Sequence, residues 1–581
     1  MKTLASPYII GLIVLFALFI VVGTIMGRNV KNTADYYVAG RNAPTLLVTG
    51  SLIASYLSTV AFMGDTGFNY DGFLMPYVIL CAVCSVGYIF GARYFGIYLR
   101  RSRVLTLPEF FGQRFDSKRI RMFTSIVTVV GIMCYLTSVT KGAALLMQNL
   151  LGLGDNPHGF LIGLAVTWAV YTAFTFYSGS KGILTLETIM FFVFTVMAFV
   201  SIPFIFSEAG GWPQSVTNTV VWLNSPDSVQ AHIDAGAWAG NPDVAAHFKP
   251  GALSVHGVTD PASEWAYMGN SADTVVWAFV LGFVWLIAMA TSPWQTSRYM
   301  MAKNEHVVVR TGLIGSVIAL VILIFLDFAM TVANMIDIPA GVTSEETYVW
   351  LSLNLFPTWL GIIVISGLMS AALSSCSTFA SLIGFSLAND ILPAVFKKMN
   401  PDKGLRNGRI LMVLSSVIVV FLTYYSSPAI MWVAYFASTL FAVSWGFVSF
   451  AGVWSKKISE RGAFWSMFAG AAAFVLAQVL KTFAGVSFPT LLRPEILGMA
   501  AAVVVYFAMN RPDAITDAER KFFTMLHTQE DTEKAIARKE AKRTLRYAKF
   551  VIVSGVVVTG VLFVFYYLPY REGIAILNAG G

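Results

Sequence analysis

Long apolar runs recur from Pro7 to Leu568, each close to the roughly 20 residues that a helix needs to cross a bilayer. In hydrocarbon every backbone N–H and C=O must be paired within the protein, so a chain built this way folds as a set of transmembrane helices. Composition agrees. Of 581 residues, 57% are hydrophobic and 12% charged, about half the charged share of an ordinary soluble domain. The expected class is therefore an all-α polytopic membrane protein.

About fourteen spans are expected, at 7–27, 44–66, 74–99, 122–149, 159–178, 183–206, 272–292, 308–334, 358–386, 408–426, 428–452, 462–482, 488–508 and 548–568. The first run is too long for the apolar core of a signal peptide and ends in Arg28 without a small-residue cleavage site, so it reads as a retained span. Cys81, Cys84, Cys134 and Cys376 all lie inside apolar runs. Cys81 and Cys84 form a CxxC with no second pair, which suits buried thiols better than zinc.

Loop charge orients the stack. Arg100, Arg101, Arg103, Lys118, Arg119 and Arg121, then Lys397, Lys398, Lys403 and Arg409, fall in alternate loops. The long loop 207–271 instead carries Glu208, Asp227, Asp234, Asp243, Asp260 and Glu264 against Lys249. By the positive-inside rule the basic loops are cytoplasmic and both termini lie outside a plasma (inner) membrane. The formal charge of +8 thus belongs to cytoplasmic loops and does not imply nucleic-acid binding. The outer loop, rich in Gly, Pro and Trp, is expected to form a partly ordered cap. Residues 509–547 read as a charged cytoplasmic linker, a solvated tether to the last span.

Polar residues inside spans need a reason. In Gly367–Ser381, GLMSAALSSCSTFAS, the hydroxyls of Ser370, Ser374, Ser377 and Ser381 recur at i, i+4, i+7 and i+11, one helix face, with Ser375 and Thr378 beside it. Such a face asks for another helix, water or an ion. Neutral oxygens in a cluster suit a hard cation stripped of its water. A second irregular segment, Ser51–Gly72, mixes Ser51, Ser55, Ser58 and Thr59 with Gly64 and Gly67. It reads either as a broken helix with free carbonyls or as a small-residue packing face. Two such segments, in spans two and nine, are what a site between five-span units 2–6 and 7–11 would show, the second unit being inverted by its odd number of crossings.

Several spaced motifs then point to a family. TLPEFFGQRF, Thr106–Phe115, resembles the T-x-P-E-F-x-x-x-R-F motif of the sodium/solute symporters, which share the LeuT-like fold. SLIASYLS in span two and SAALSSCST in span nine resemble that family's sodium-site segments. YSGSKGILTLETIM, Tyr177–Met190, and SPWQTSRYMMAK, Ser292–Lys303, resemble its sixth span and the arginine-bearing end of its next. The resemblance covers about Ala34–Lys457.

The resemblance implies a core of two inverted repeats, 44–206 and 272–452. Around it would lie an N-terminal helix and loop, 1–43, flanking helices at 453–508 and a last helix and tail at 548–581. It implies Na+ as coupling ion, held by the carbonyls of Ala54, Leu57 and Ala371 and the hydroxyls of Ser374 and Ser375. Neutral ligands suit a monovalent ion, since extra carboxylates favour divalent ones. A second sodium site of some members would map to Glu187, Ser377 and Thr378, although the family acid is usually Asp. The alternative for Glu187 is pairing with Lys181 or reaching the interface.

The solute is expected to be small and organic. Val60 and Ala61 replace the polar pair of the sugar-carrying branch, and Tyr56 replaces an aspartate of the proline branch. YLSTVAFMG resembles acetate and monocarboxylate permeases, and Pro293 before Arg298 fits both the proline and the acetate branches. The expected cargo is a monocarboxylate or an amino acid, with a sugar as alternative. Candidate pocket residues are Tyr56, Ser58, Thr59, Phe62, Trp294 and Gln295. Lys141 either snorkels outward or meets a carboxylate. Asp65 and Asp71 are expected at an outer gate or vestibule.

These readings describe a symporter that works as a monomer within the lipid bilayer and performs no covalent chemistry. Neither a nucleotide-binding loop nor an intramembrane His or Cys/His cluster is present. A transporter-like sensor signalling through 509–547 is the alternative; removing that segment would then spare uptake and abolish the response.

Overall fold

The computed structural model describes residues 6–27, 33–154, 156–223, 271–339, 341–395, 404–426, 430–486 and 488–580. Among them the chain is helical throughout, with one isolated backbone bridge between Ala43 and Ala302. Among the described residues, twelve helices are long and apolar enough to cross a membrane. Two shorter apolar helices, Thr45–Ala54 and Pro494–Met509, stand where a second and a thirteenth full span were expected. Residues 224–270, most of the expected outer cap, and the basic run 396–403 lie outside the described residues.

The second span is short because it breaks. Helix Thr45–Ala54 ends at Ser55, the chain bends through Ser58, a wide turn follows over Val60–Asp65, and helix Thr66–Tyr70 completes the crossing. Gly, Ser and Thr tolerate such a break, since their small or hydroxyl side chains let the freed backbone find other partners. The ninth span does the opposite. Thr358–Ser386 runs unbroken. Its apolar window is 83% buried, the highest share of the twelve, so its hydroxyl face looks at protein and not at lipid.

The expected fifth and sixth spans form one element, Gly159–Glu208, divided at Gly179. There φ is +58°, a left-handed value that only glycine adopts without a Cβ penalty. The second half of this element packs against spans two and nine. Close approach is possible because span two presents Gly50: a Cβ there would lie 2.8 Å from Cγ2 of Thr188. That approach sets Ser51 beside Glu187.

The TLPEFFGQRF stretch forms helix Leu107–Arg114, with Pro108 in its first turn and the Thr106 hydroxyl accepting from the Glu109 N–H. The same hydroxyl donates to Asp390 at 2.8 Å, and Arg121 pairs with Asp390 at 2.8 Å, so the motif clasps the end of the ninth span.

The segment 509–547, expected as a solvated tether, is mostly exposed and helical, and a few of its residues fasten it to the spans. Helix Asp517–His527 starts with a capping box, Thr516 with Glu519, and the next helix, Asp531–Leu562, runs straight into the final membrane segment. Arg103 pairs with Glu530 at 2.8 Å, and the buried Arg310 with Glu540 at 2.6 Å. Acidic residues of the segment meet basic residues at the ends of the third and eighth spans. Charge that looks solvated in one dimension is complementary in three.

Candidate functional site

The break in span two leaves the Ala54 carbonyl without a helical partner, and span nine supplies one. Ser374 donates its hydroxyl to the Ala54 carbonyl at 2.8 Å and to the Ala371 carbonyl at 2.9 Å. Ser375 reaches the carbonyls of Ala54 at 3.3 Å and Ser55 at 3.4 Å. Leu57, fully buried, lies in the same unwound stretch. Four of the five expected sodium ligands are thus within hydrogen-bond reach of one another, and the fifth is three residues along the break. Each hydroxyl has a second carbonyl to which it can turn its proton, which frees its lone pairs for a cation. Oxygens of this sort, neutral and fully enclosed, are worth the most to a small hard ion when water is excluded.

One turn along span nine the arrangement changes sign. Glu187, in span six and fully buried, accepts hydrogen bonds from the hydroxyls of Ser51 and Thr378. Its countercharge is Arg298, whose guanidinium approaches the two carboxylate oxygens at 2.9 and 2.7 Å and also contacts Ser51 at 2.9 Å. Neither Lys181 nor the interface is its destination. Ser377 turns away and donates to the Ser374 carbonyl at 2.9 Å. The residues matched to a second sodium site therefore split: Glu187 and Thr378 meet around an internal cation, and Ser377 does not join them. Arg298 was visible in sequence only as the end of a motif, and its partner is 111 residues away.

Aromatic residues wall the break. Tyr56 packs on Tyr88 and Trp285 with ring centroids 6.0 and 6.3 Å apart, and its hydroxyl lies 4.0 Å from Sγ of Cys84. Tyr135 stands beside Ser58 and meets Trp294 at 5.1 Å. Gln295 lies beside Tyr88. Of the expected pocket residues, Tyr56, Ser58, Trp294 and Gln295 share this enclosure. Thr59 instead donates to the Val139 carbonyl at 3.1 Å, and Phe62 packs on Phe194 at 5.5 Å.

Lys141 has the Glu345 carboxylate as its charged neighbour. Glu345 sits in the loop before span nine and accepts from the Ile430 N–H at 2.8 Å. Burial pushes its carboxyl up to about 7, against the opposing pull of that N–H and of Lys141. Asp65 is 4% exposed and accepts from the Tyr77 hydroxyl at 2.7 Å. Asp327, which the apolar run of the eighth span hides in plain view, is fully buried.

Comparison with known proteins places this architecture. A high-affinity proline transporter, PutP, of Bacillus subtilis (strain 168) is 22% identical over 84% of this chain and 95% of its own. Sodium/glucose cotransporter 1 of Mus musculus is 21% identical over 79% of this chain and 69% of its own. The solved structure of a Na+-coupled sialic acid symporter in a substrate-bound outward-open state covers 86% of this chain and 97% of that one. It has a TM-score of 0.66 at 16% identity, which speaks for the fold alone. The description "Sodium:solute symporter family" matches residues 36–470, three quarters of the sequence. The chain belongs to the sodium:solute symporter family, with Na+ as its coupling ion.

Proposed function

We propose that this chain imports a small organic solute, a monocarboxylate or an amino acid, by alternating access, driven by Na+ bound at the junction of spans two and nine. The reading rests above all on one contact, the Ser374 hydroxyl 2.8 Å from the Ala54 carbonyl, which joins residues 320 positions apart at the helix break. In this mechanism Na+ takes the carbonyls of Ala54, Leu57 and Ala371 and the hydroxyls of Ser374 and Ser375. Binding there ties the broken helix to the continuous one, which favours the solute-binding state, and the coupling is reciprocal: solute raises sodium affinity by the same factor. Inward opening parts the two spans, the ligand set comes apart, and both leave.

The core consists of two inverted repeats, with the basic loops cytoplasmic, both termini outside an inner membrane, and a monomer sufficient for transport. The solute sits in the enclosure walled by Tyr56, Ser58, Trp294 and Gln295. Lys141 and Glu345 act at its outer margin. Thr59 and Phe62 support the helix break from behind, through span four and span six. Glu187, Ser377 and Thr378 constitute a second sodium site only in a state where Arg298 has released Glu187, so a stoichiometry of one follows from the paired arrangement. No covalent step is involved.

The experiment is uptake into vesicles holding the purified protein. An inward sodium gradient should drive accumulation that an equal potassium gradient does not, and Ser374→Ala should demand more sodium. Accumulation of equal size with either ion would end the reading.

A further inference from the structure

A second polar cluster lies in the outer half of the molecule, away from both sodium-type arrangements. Asp327 of the eighth span is fully buried, and neither of its carboxylate oxygens has a hydrogen-bond partner among the described residues. It lies within electrostatic reach of Asp65, Tyr77 and Cys81. One turn further on, Thr331 donates to the Asn69 carbonyl at 2.9 Å, so this face of the eighth span rests on the outer piece of span two. Asn69 in turn spends its amide N–H on the Asp65 carbonyl at 2.7 Å, which leaves its own side-chain oxygen without a donor. Asp65 is hydrogen-bonded by the Tyr77 hydroxyl at 2.7 Å and also by Tyr435.

Both Asp327 oxygens and the Asn69 side-chain oxygen are thus buried without a donor, while Asp65 beside them has the hydroxyls of Tyr77 and Tyr435. A buried carboxylate with nothing to receive from is costly to keep, and an ionisable residue at membrane depth marks a place where something binds or passes. What is missing is a positive group with several N–H or metal-like contacts. No third His, Cys, Asp or Glu joins to make a metal centre among the described residues. Aromatic rings do: Phe68 lies 6.3 Å from Tyr77 and 6.5 Å from Trp277, and Tyr435 stands beside Asp65. Carboxylates backed by aromatic faces suit an organic ammonium, which gains both hydrogen bonds and cation–π attraction. Tyr435 continues at 4.5 Å to Trp285 and thence to Tyr56, so a chain of packed rings joins the cluster to the aromatic wall at the helix break.

We propose that Asp65, Asn69 and Asp327 bind the ammonium group of the transported solute. The proposal rests on the symporter reading above and narrows its cargo to amine-bearing solutes, with Asp327 as the main partner because Tyr77 and Tyr435 already serve Asp65. A monocarboxylate without an amine would leave these acceptor oxygens without a donor.

The test is sodium-driven uptake of radiolabelled matched pairs by the full chain in vesicles: glycine against acetate, alanine against propionate, and proline against cyclopentanecarboxylate. At least one amine-bearing member should accumulate, and its amine-free partner should not. Asp327→Asn, and separately Asp65→Asn, should raise the KM for that solute at least about tenfold, as loss of a charged hydrogen bond does. Both variants should keep the sodium-dependent rise in Tm of the purified protein, which also shows that they fold. Uptake of an amine-free partner, or of no amine-bearing probe, overturns the proposal. So does a KM for Asp327→Asn within about twofold of the native value. Loss of the sodium-dependent Tm rise in Asp327→Asn would make the cluster an alkali-ion site and overturn the ammonium assignment. Failure of the symporter reading is distinct: uptake would then be equal with potassium.

Discussion

Two arrangements on the ninth span, one helical turn apart, solve the problem of polar groups in hydrocarbon in opposite ways. At Ser374 and Ser375 the groups are neutral and satisfy one another through hydroxyl-to-carbonyl bonds that cross to the broken helix. At Thr378 the groups are charged, and the protein brings its own cation, Arg298, to the Glu187 carboxylate. A neutral cluster gives up weak internal bonds to admit an ion and re-forms them on release, so binding and unbinding are both accessible. A charged cluster that already holds its counterion admits a second cation only after a buried ion pair is broken. The second fastens spans two, six, seven and nine, and the first is the one we propose for ion exchange.

The largest expected effect tests the fastening. Arg298→Gln leaves Glu187 buried without its partner, and breaking such a pair costs about 3–5 kcal/mol. The purified variant should melt well below the native protein in potassium. If the Glu187 oxygens can serve a cation once freed, sodium should restore much of that loss, and uptake should become cooperative in sodium. A variant that is as stable as the native chain would refute the fastening role. An unchanged, non-cooperative sodium dependence would show that Glu187 never takes part in ion binding.

The next effect separates the two serines. Removing one neutral ligand of five costs about 1–1.5 kcal/mol, or roughly tenfold in the sodium concentration for half-maximal uptake. Ser374, with contacts at 2.8 and 2.9 Å, should matter more than Ser375, at 3.3 and 3.4 Å. Thermal stability should fall far less than in Arg298→Gln. Equal sodium dependence in native protein and Ser374→Ala would dissolve the contrast.

How much of this was legible in the sequence differs between the two arrangements for a physical reason. Ser374 and Ser375 announce themselves by helical spacing within one span, and the glycine and hydroxyl content of Ser51–Gly72 marks the break they face. Helix periodicity is local information, and the neutral site is built from two local irregularities. The Glu187–Arg298 pair is a fact of packing, since hydropathy locates spans but does not say which of them touch. Asp327 carried a readable signal, a lone acid in the apolar stretch VILIFLDFAM, yet its meaning depends on Asp65 and Asn69 in another helix. The docked helix Asp517–His527 likewise advertised its capping box through Thr516 and Glu519, while the basic surface that receives it is formed by residues over 400 positions away.

The smallest effect concerns pH, and it sharpens the same contrast from the side of titration. None of the five oxygens of the neutral site belongs to an ionisable group, so the sodium requirement of uptake should change little between about pH 5.5 and 8. Stability should not share that indifference. Glu345 faces Lys141 and Glu346 and caps the Ile430 N–H, and burial raises its carboxyl from the ordinary value near 4.5 to about 7. The folded protein therefore holds a proton that the unfolded chain has lost between those two values. By linkage, stability is fully present below about pH 4.5, declines as pH rises toward about 7, and levels off above it. Glu345→Gln, which keeps the shape without the titration, should flatten the decline in Tm over that window and leave the sodium requirement where it was. A Glu345→Gln chain whose Tm falls with pH as steeply as the native one would place the titrating group elsewhere. A sodium requirement that moves with pH in the native chain, and stops moving in the variant, would mean that the outer carboxylate and the neutral site are energetically joined.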